Sequence, residues 1–285
     1  MEQNYIPYKL NLSGKVCDLS EPKVMGILNV TPDSFFEGSR TQTELEITHR
    51  IEQLLQEGAY MIDVGAYSSR TNADDVSPAE EMSRLRFALR LLRKNHPEAI
   101  VSIDTFRADV AKMCVEEYGA DIINDISGGS LDEKMFQTIA GLGVPYILMH
   151  MKGTPQTMQQ APHYDNVVEE VCTYFQEKVS QLNELGVKDI ILDPGFGFAK
   201  TLEHNYQLMH HMEELHKFQL PILVGISRKS MIYRLLGTSP QEALNGTTVL
   251  NTIALLKGTH ILRVHDVKEC METIAITQTL QKNHV

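Results

Sequence analysis

Polar side chains recur in this sequence at one kind of place, the end of a short apolar run. In chain order they are Asn29, Asp63, Asp104, Asn124 with Asp125, Met149 with His150, Asp193, the triplet Ser227-Arg228-Lys229, and Arg263 with His265. An ionised carboxylate only accepts hydrogen bonds, whereas a carboxamide both donates and accepts. Acid and amide groups together therefore suit the edge of a heterocycle that carries several N–H donors and a carbonyl. The cationic groups come late, at Arg228, Lys229, Arg263 and His265, and they suit an oxygen-rich anion. One polar residue after an apolar run marks only the start of a loop. A whole series of them points to a mouth that reads a ring on one side and holds an anion, such as a phosphate, on the other.

Such a mouth needs elements that bring the ends of the runs together. About eight runs are present, at 24–30, 60–64, 100–104, 121–124, 144–150, 189–193, 221–226 and 260–264, each followed by a longer amphipathic or polar segment. They are continuously apolar rather than alternating, as strands are when crossover helices cover their outer face. Eight parallel strands with crossover helices close into a barrel whose chemistry collects at the C-terminal mouth. The expected fold is α/β, a TIM (β/α)8 barrel. Ser77-Pro78-Ala79-Glu80 has the form of a capping box with proline at the first helical position, predicting a helix through Leu85, Leu89 and Leu92 that ends near Pro97. Further helices are expected over 43–56 and from a cap at Asp266 toward Leu280. Residues 8–16 read as a short N-terminal β-hairpin turning at Ser13-Gly14, able to plug the far end of the barrel. No linker or low-complexity tract divides the chain, so one domain is expected over 1–285, with the hairpin in 1–20 and the barrel in 21–282.

Composition narrows the partners. The 285 residues are 42% hydrophobic and 22% charged, an ordinary globular balance. With 26 Lys and Arg against 37 Asp and Glu, the net charge is -11. That argues against a nucleic-acid partner and requires an anion site to gather its positive charge locally. No run approaches the roughly 20 apolar residues of a membrane span, and the first residues lack the basic and apolar regions of a signal peptide. A cytoplasmic protein without a membrane partner is expected. Cys17, Cys114, Cys172 and Cys270 are far apart and read as reduced structural thiols. The loop 29–36, with Phe35 and Phe36, reads as a lid, and the glycine-rich turn 194–198 permits close backbone approach to a ligand. His210 and His211 are assigned to packing rather than to a metal.

These segments read GILNVTPDSF (26–35), IDVG (62–65), SIDT (102–105), INDISGG (123–129), LMHM (148–151), LDPGFGF (192–198), GISRKS (225–230) and RVHDV (263–267). In that order, and over nearly the whole chain, they resemble the motifs of the dihydropteroate synthases of folate biosynthesis, a TIM-barrel family. The resemblance implies condensation of 6-hydroxymethyl-7,8-dihydropterin pyrophosphate with 4-aminobenzoate, giving 7,8-dihydropteroate and pyrophosphate. By matching position it implies that Asp104, Asn124, Asp193 and Lys229 hold the pterin, with Met149, Gly197 and Phe198 lining it. Arg263 would cross the ring face and, with His265, reach the pyrophosphate. Ser69, Arg70 and Ser230 would lie near the pyrophosphate or the aminobenzoate, and Asn29 beside a Mg2+ ion. Asp63, Lys229 and Arg263 are the implied catalytic groups, acting through binding and charge on a dissociative path rather than as an acid and base pair. The resemblance also implies a homodimer, to which 242–256 would contribute, and a sulfonamide target.

The chain departs from the family at 66–72, reading Ala-Tyr-Ser-Ser-Arg-Thr-Asn where many relatives have Gly-Glu-Ser-Thr-Arg-Pro-Gly, and at Glu37, where relatives often have Asp. Both changes bear on the aminobenzoate side and on the response to sulfonamides. Two other readings stay open at this level. One is a Schiff-base aldolase with Lys229 as nucleophile, activated by neighbouring Arg228. The other is a pterin-binding module without turnover.

Overall fold

The continuous apolar runs form eight parallel strands in a computed structural model that describes residues 6–12, 14–30, 40–67, 76–153 and 162–283. The strands are β3 (Lys23–Asn29), β4 (Met61–Gly65), β5 (Ile100–Asp104), β6 (Ile122–Asp125), β7 (Tyr146–Met149), β8 (Ile190–Asp193), β9 (Leu223–Val224) and β10 (Ile261–Val264). Their order is β8-β7-β6-β5-β4-β3-β10-β9, and a parallel bridge between Leu192 and Ile222 joins the two outer strands, so the sheet closes as a TIM barrel. The run at 221–226 yields only two strand residues. Pro221 has no N–H to donate, and the Ile222 N–H goes to the ring Nδ1 of His260 at 3.0 Å rather than into the ladder.

Register sets the level of the strand ends. Asn29 stands beside Gly65, Gly65 beside Asp104, and Asp104 beside Asn124, while Met149 pairs with Asp193. One row of the barrel thus carries two amides and an acid on neighbouring strands.

The crossover segments are α1 (Arg40–Gln56), α2 (Pro78–Asn95), α3 (Ala108–Tyr118), α4 (Met135–Leu142), α5 (Val167–Glu184), α6 (Leu202–His210), α7 (Ser230–Leu236), α8 (Leu244–Leu256) and α9 (Val267–Lys282). Ser77 caps α2 by accepting from the Glu80 N–H at 3.2 Å. The reciprocal half of the expected box is missing, because the Glu80 carboxylate takes Arg84 at 2.7 Å. Asp266 occupies the cap position of α9 without capping it, since its two oxygens receive Arg228 at 2.8 and 2.9 Å. Among the described residues, no helix is long and apolar enough to cross a membrane.

The N-terminal hairpin, β1 (Lys9–Leu12) with β2 (Lys15–Asp18), turns where Gly14 adopts φ +91° and donates to Asn11 Oδ1 at 2.9 Å. Leu10, Leu12, Cys17 and Leu19 pack into the barrel floor against Met25, Met61, Ile100, Ile122, Ile147, Ile191, Leu223 and Ile261, one residue from each barrel strand. The hairpin therefore replaces water over the whole lower ring. His260 anchors the approach to it. Its Nδ1 accepts from Ile222 N, which leaves Nε2 to donate to Ile6 O at 2.9 Å.

Burial pushes the His260 imidazole down to about 4, and a group whose folded pKa is depressed in this way binds its proton more readily when unfolded. Stability should be intact above the unfolded value of about 6.5 and fall as pH drops toward 4, by roughly 3 kcal/mol from this residue. Denaturant unfolding from pH 7 to 4 should show that slope in the native protein and a shallower one in His260→Gln. An unchanged slope in the variant would assign the acid sensitivity elsewhere.

Candidate active site

The deepest feature of the mouth is a guanidinium between two carboxylates. Arg263, on β10, donates from Nε to Asp63 Oδ2 at 2.6 Å and from Nη2 to Asp104 Oδ2 at 2.7 Å. Asn124 adds its Nδ2 to the same Asp63 oxygen at 3.0 Å. Asp63 is fully buried, and its second oxygen, Oδ1, has no hydrogen-bond partner among the described residues. An unmatched buried acceptor carries a desolvation penalty that a ligand N–H would relieve. Burial pushes the Asp104 carboxyl up, against the pull of Arg263 and with the help of Asp63; its side chain keeps 21% exposure, so solvent moderates the effect. The two acids hold Arg263 firmly in its charged form.

The opposite wall comes from β8 and the turn after it. Asp193 is buried and accepts from Gly195 N at 2.8 Å. Burial raises its carboxyl, and the Lys229 charge opposes that rise. Lys229 donates to Phe196 O at 2.6 Å, and its ammonium stands 4.6 Å from the centre of the Phe198 ring. Gly197 is required between them: its φ is +83°, and a Cβ there would lie 3.1 Å from Lys229 Cδ. Met149 and Phe198 belong to one apolar cluster with Ile126, Met151 and Ala199. Ser230 follows Lys229 as the first residue of α7.

The cations do not all serve the mouth. Arg228 has φ +55°, a strained value for a residue with a Cβ. Its guanidinium turns to Asp266 and to the carbonyls of Pro240 and Gln241, clamping the β9–α7 turn to the start of α9. It therefore does not activate Lys229, whose pKa falls to about 8 through burial, with Asp193 opposing and Arg263 adding to the fall. His265 is pushed down to about 4 by burial and by Arg263, so it is neutral. Ser227 Oγ, which sequence reading had placed only among the polar ends, lies 3.2 Å from His265 Nδ1 and accepts from the His265 N–H at 3.2 Å. His265 is thus a neutral imidazole beside the guanidinium rather than a second cation.

Asn29 is exposed at the end of β3, level with Gly65 and Asp104. An exposed carboxamide, whose oxygen can serve as a ligand, fits a hard cation that prefers oxygen ligands and keeps several waters. Among the described residues, no three His, Cys, Asp or Glu side chains are grouped to hold a metal. Ser69, Arg70, Asp33, Glu37 and residues 31–36 of the expected lid loop lie outside the described residues.

Sequence reading missed Gly65, where a Cβ would come 3.2 Å from that of Asp104. It also missed Lys200, which is 4% exposed. The signal for Lys200 was its position, a lysine closing the glycine-rich turn that starts at Asp193.

A family model described as pterin binding enzyme matches residues 25–265. A dihydropteroate synthase of Escherichia coli (strain K12) is 43% identical over 273 residues, covering 95% of each chain. The chain belongs to the dihydropteroate synthase family. With that family it is a transferase of folate synthesis. The solved structure of the Yersinia pestis dihydropteroate synthase with a sulfonamide drug complex superposes with a TM-score of 0.88 at 39% identity, covering 96% of this chain and 99% of that one. The Xanthomonas albilineans dihydropteroate synthase in complex with 7,8-dihydropteroate gives 0.83 at 31% identity, covering 96% and 98%.

Removing one member of a buried ion pair costs about 3 kcal/mol or more, because the other charge is left uncompensated. Arg263→Ala should therefore lose about that much stability at pH 8. The loss should shrink at pH 5, where Asp104 can take a proton. Urea titrations at the two pH values test this; a loss equal at both would remove the uncompensated acids as its cause.

Proposed function

We propose that this chain condenses 6-hydroxymethyl-7,8-dihydropterin pyrophosphate with 4-aminobenzoate, forming 7,8-dihydropteroate and pyrophosphate. The observation that carries this reading is the convergence of Asp63, Asp104, Asn124 and Arg263 into one hydrogen-bonded group, with Asp193 at the end of β8 and Lys229 at the start of α7 within electrostatic reach of it.

A dihydropterin edge offers N–H donors to Asp104, Asp193 and the unmatched Asp63 oxygen. Asn124 and Lys229 supply donors to its carbonyl and ring nitrogen. Met149 and Phe198 cover the ring, and Arg263 stacks on its face while remaining anchored to two acids. The substrate then has little freedom, and its methylene faces the outer part of the mouth.

Breaking the C–O bond leaves the electron pair on pyrophosphate and a cation conjugated with the ring. Arg263 and the neutral imidazole of His265 face the departing oxygens, and the carboxylates Asp63 and Asp104 stabilise the cation electrostatically. Asn29 is the residue that would hold Mg2+, and when bound the ion supplies further charge neutralisation to the pyrophosphate. The aromatic amine of 4-aminobenzoate is unprotonated at neutral pH, so its lone pair attacks the methylene and its proton passes to water. No side chain has to act as nucleophile or strong base. Burial lowers Lys229 as it would a Schiff-base lysine, but Arg228, the activator that reading invoked, is turned to Asp266, and the ammonium is engaged by Phe196 O and the Phe198 ring, so the binding role is favoured. A homodimer belongs to the same reading, favoured by exposed Leu235 and Leu236 on α7 and Val249 and Leu256 on α8. Four buried, unpaired cysteines accord with a reducing cytoplasm.

A continuous pyrophosphate assay tests the reaction. Release should require both substrates and slow by about tenfold or more when Mg2+ is chelated. It should also weaken above pH 8 as Lys229 loses its proton. Lys229→Ala should lower kcat/KM for the pterin substrate by about a hundredfold, the scale of a lost charged hydrogen bond. Pterin binding without release would favour the module without turnover, and release indifferent to aminobenzoate would make the chain a hydrolase.

A further inference from the structure

Lys200 is a buried cation that the reaction above does not use. Its ammonium has three N–H donors and three acceptors around it: Gly195 O at 3.0 Å, Phe198 O at 3.1 Å and His150 Nδ1 at 2.9 Å. Every donor is matched, and the side chain is almost sealed from solvent. The histidine is neutral, because burial and the nearby lysines press its pKa far down, so Nδ1 is free to accept.

The segment these bonds hold is the pterin wall. Gly195 O also accepts from Phe198 N at 3.1 Å, closing a tight turn. A Cβ on Gly195 would fall 2.0 Å from His150 O, so this turn lies directly on the end of β7. Ala199, between Phe198 and Lys200, is held at φ +47°, a conformation that costs energy for any residue with a Cβ. Beyond the turn, Asn205 Oδ1 accepts from Gly197 N at 2.7 Å. The product of this bracing is the pair of contacts made to Lys229, by Phe196 O and the Phe198 ring.

We propose that Lys200 is a positioning residue for the pterin substrate, fixing the Gly195–Phe198 turn so that Phe196 O and Phe198 hold Lys229 at the pterin edge. The proposal rests on the pterin-binding reading of the mouth, but it does not require turnover. Burial presses Lys200 down to about 7 and Lys229 down to about 8, and Asp193, within electrostatic reach of both, opposes each fall and so couples the two lysines. Replacing the ammonium by an apolar group would leave Phe198 O and the His150 ring nitrogen without donors and Gly195 O with the Phe198 N–H alone, and the strained turn would relax.

The test compares the full-length protein with Lys200→Met, His150→Phe, Lys229→Ala and the Lys200→Met/Lys229→Ala double variant. Titration calorimetry with 6-hydroxymethylpterin measures binding, and steady-state kinetics with both substrates measures KM and kcat. Lys200→Met should weaken pterin binding and raise the pterin KM by about thirtyfold, with the aminobenzoate KM changed less than about twofold. His150→Phe, which removes one of the three acceptors and keeps the ring, should give about a threefold effect of the same kind. In the Lys229→Ala background, the Lys200→Met effect should shrink to under about threefold, because the two residues act in series.

Unchanged pterin affinity, equal damage to both substrates, or effects that multiply in the double variant would each overturn the proposal. If Lys200→Met does not fold, His150→Phe decides, and unchanged pterin affinity there rejects it. Calorimetry separates this from the proposed reaction: a native protein that binds pterin without releasing pyrophosphate would sink the reaction and leave the Lys200 test readable.

Discussion

The pairing of Arg263 with Asp63 and Asp104 ties three strands together across the mouth and sets the charge of everything near it. Three acids, Asp63, Asp104 and Asp193, face three cations, Arg263, Lys229 and Lys200, inside a chain of net charge -11. Balanced buried charges of this kind add little to stability compared with an apolar core, but an unbalanced one is costly. The arrangement is therefore better understood as a fixed electrostatic environment, preorganised before a ligand arrives, than as a source of folding energy.

Much of this was legible in the sequence because a parallel barrel converts position along the chain into position in space. Once eight apolar runs are strands covered by helices, their last residues must share one rim, and Asn29, Asp104 and Asn124 follow by register alone. The turn after β8 was legible for a related reason, since two glycines flanking an aromatic in a strand-end turn announce close packing. What was not legible was the choice of partner by groups that had several within reach. Arg228 was read as an anion ligand and instead clamps Asp266, which is then lost as a helix cap; Glu80 takes Arg84 rather than completing a box. His265 looked cationic, yet burial beside Arg263 keeps it neutral. These outcomes depend on distances between elements far apart in the chain, which a local pattern does not encode.

The two ends of the barrel solve different problems. The floor is apolar and takes one side chain from each strand against the hairpin, where packing is dense and water is excluded. The mouth is polar and leaves an acceptor of Asp63 unmatched. Stability is concentrated at one end and reactivity at the other, so a functional group at the mouth can be under-satisfied without loosening the ring.

Closure joins β3, whose residues are 23–29, to β10, whose residues are 261–264. During synthesis the first barrel strand is made early, and its final neighbour emerges only after some 230 further residues. A nascent chain must therefore carry an open sheet with two bare margins for most of its translation, the state in which edge pairing with other chains is easiest. The hairpin, already made, can cover the floor of that half-built sheet, while the free margin of β3 finds its partner only when β10 docks.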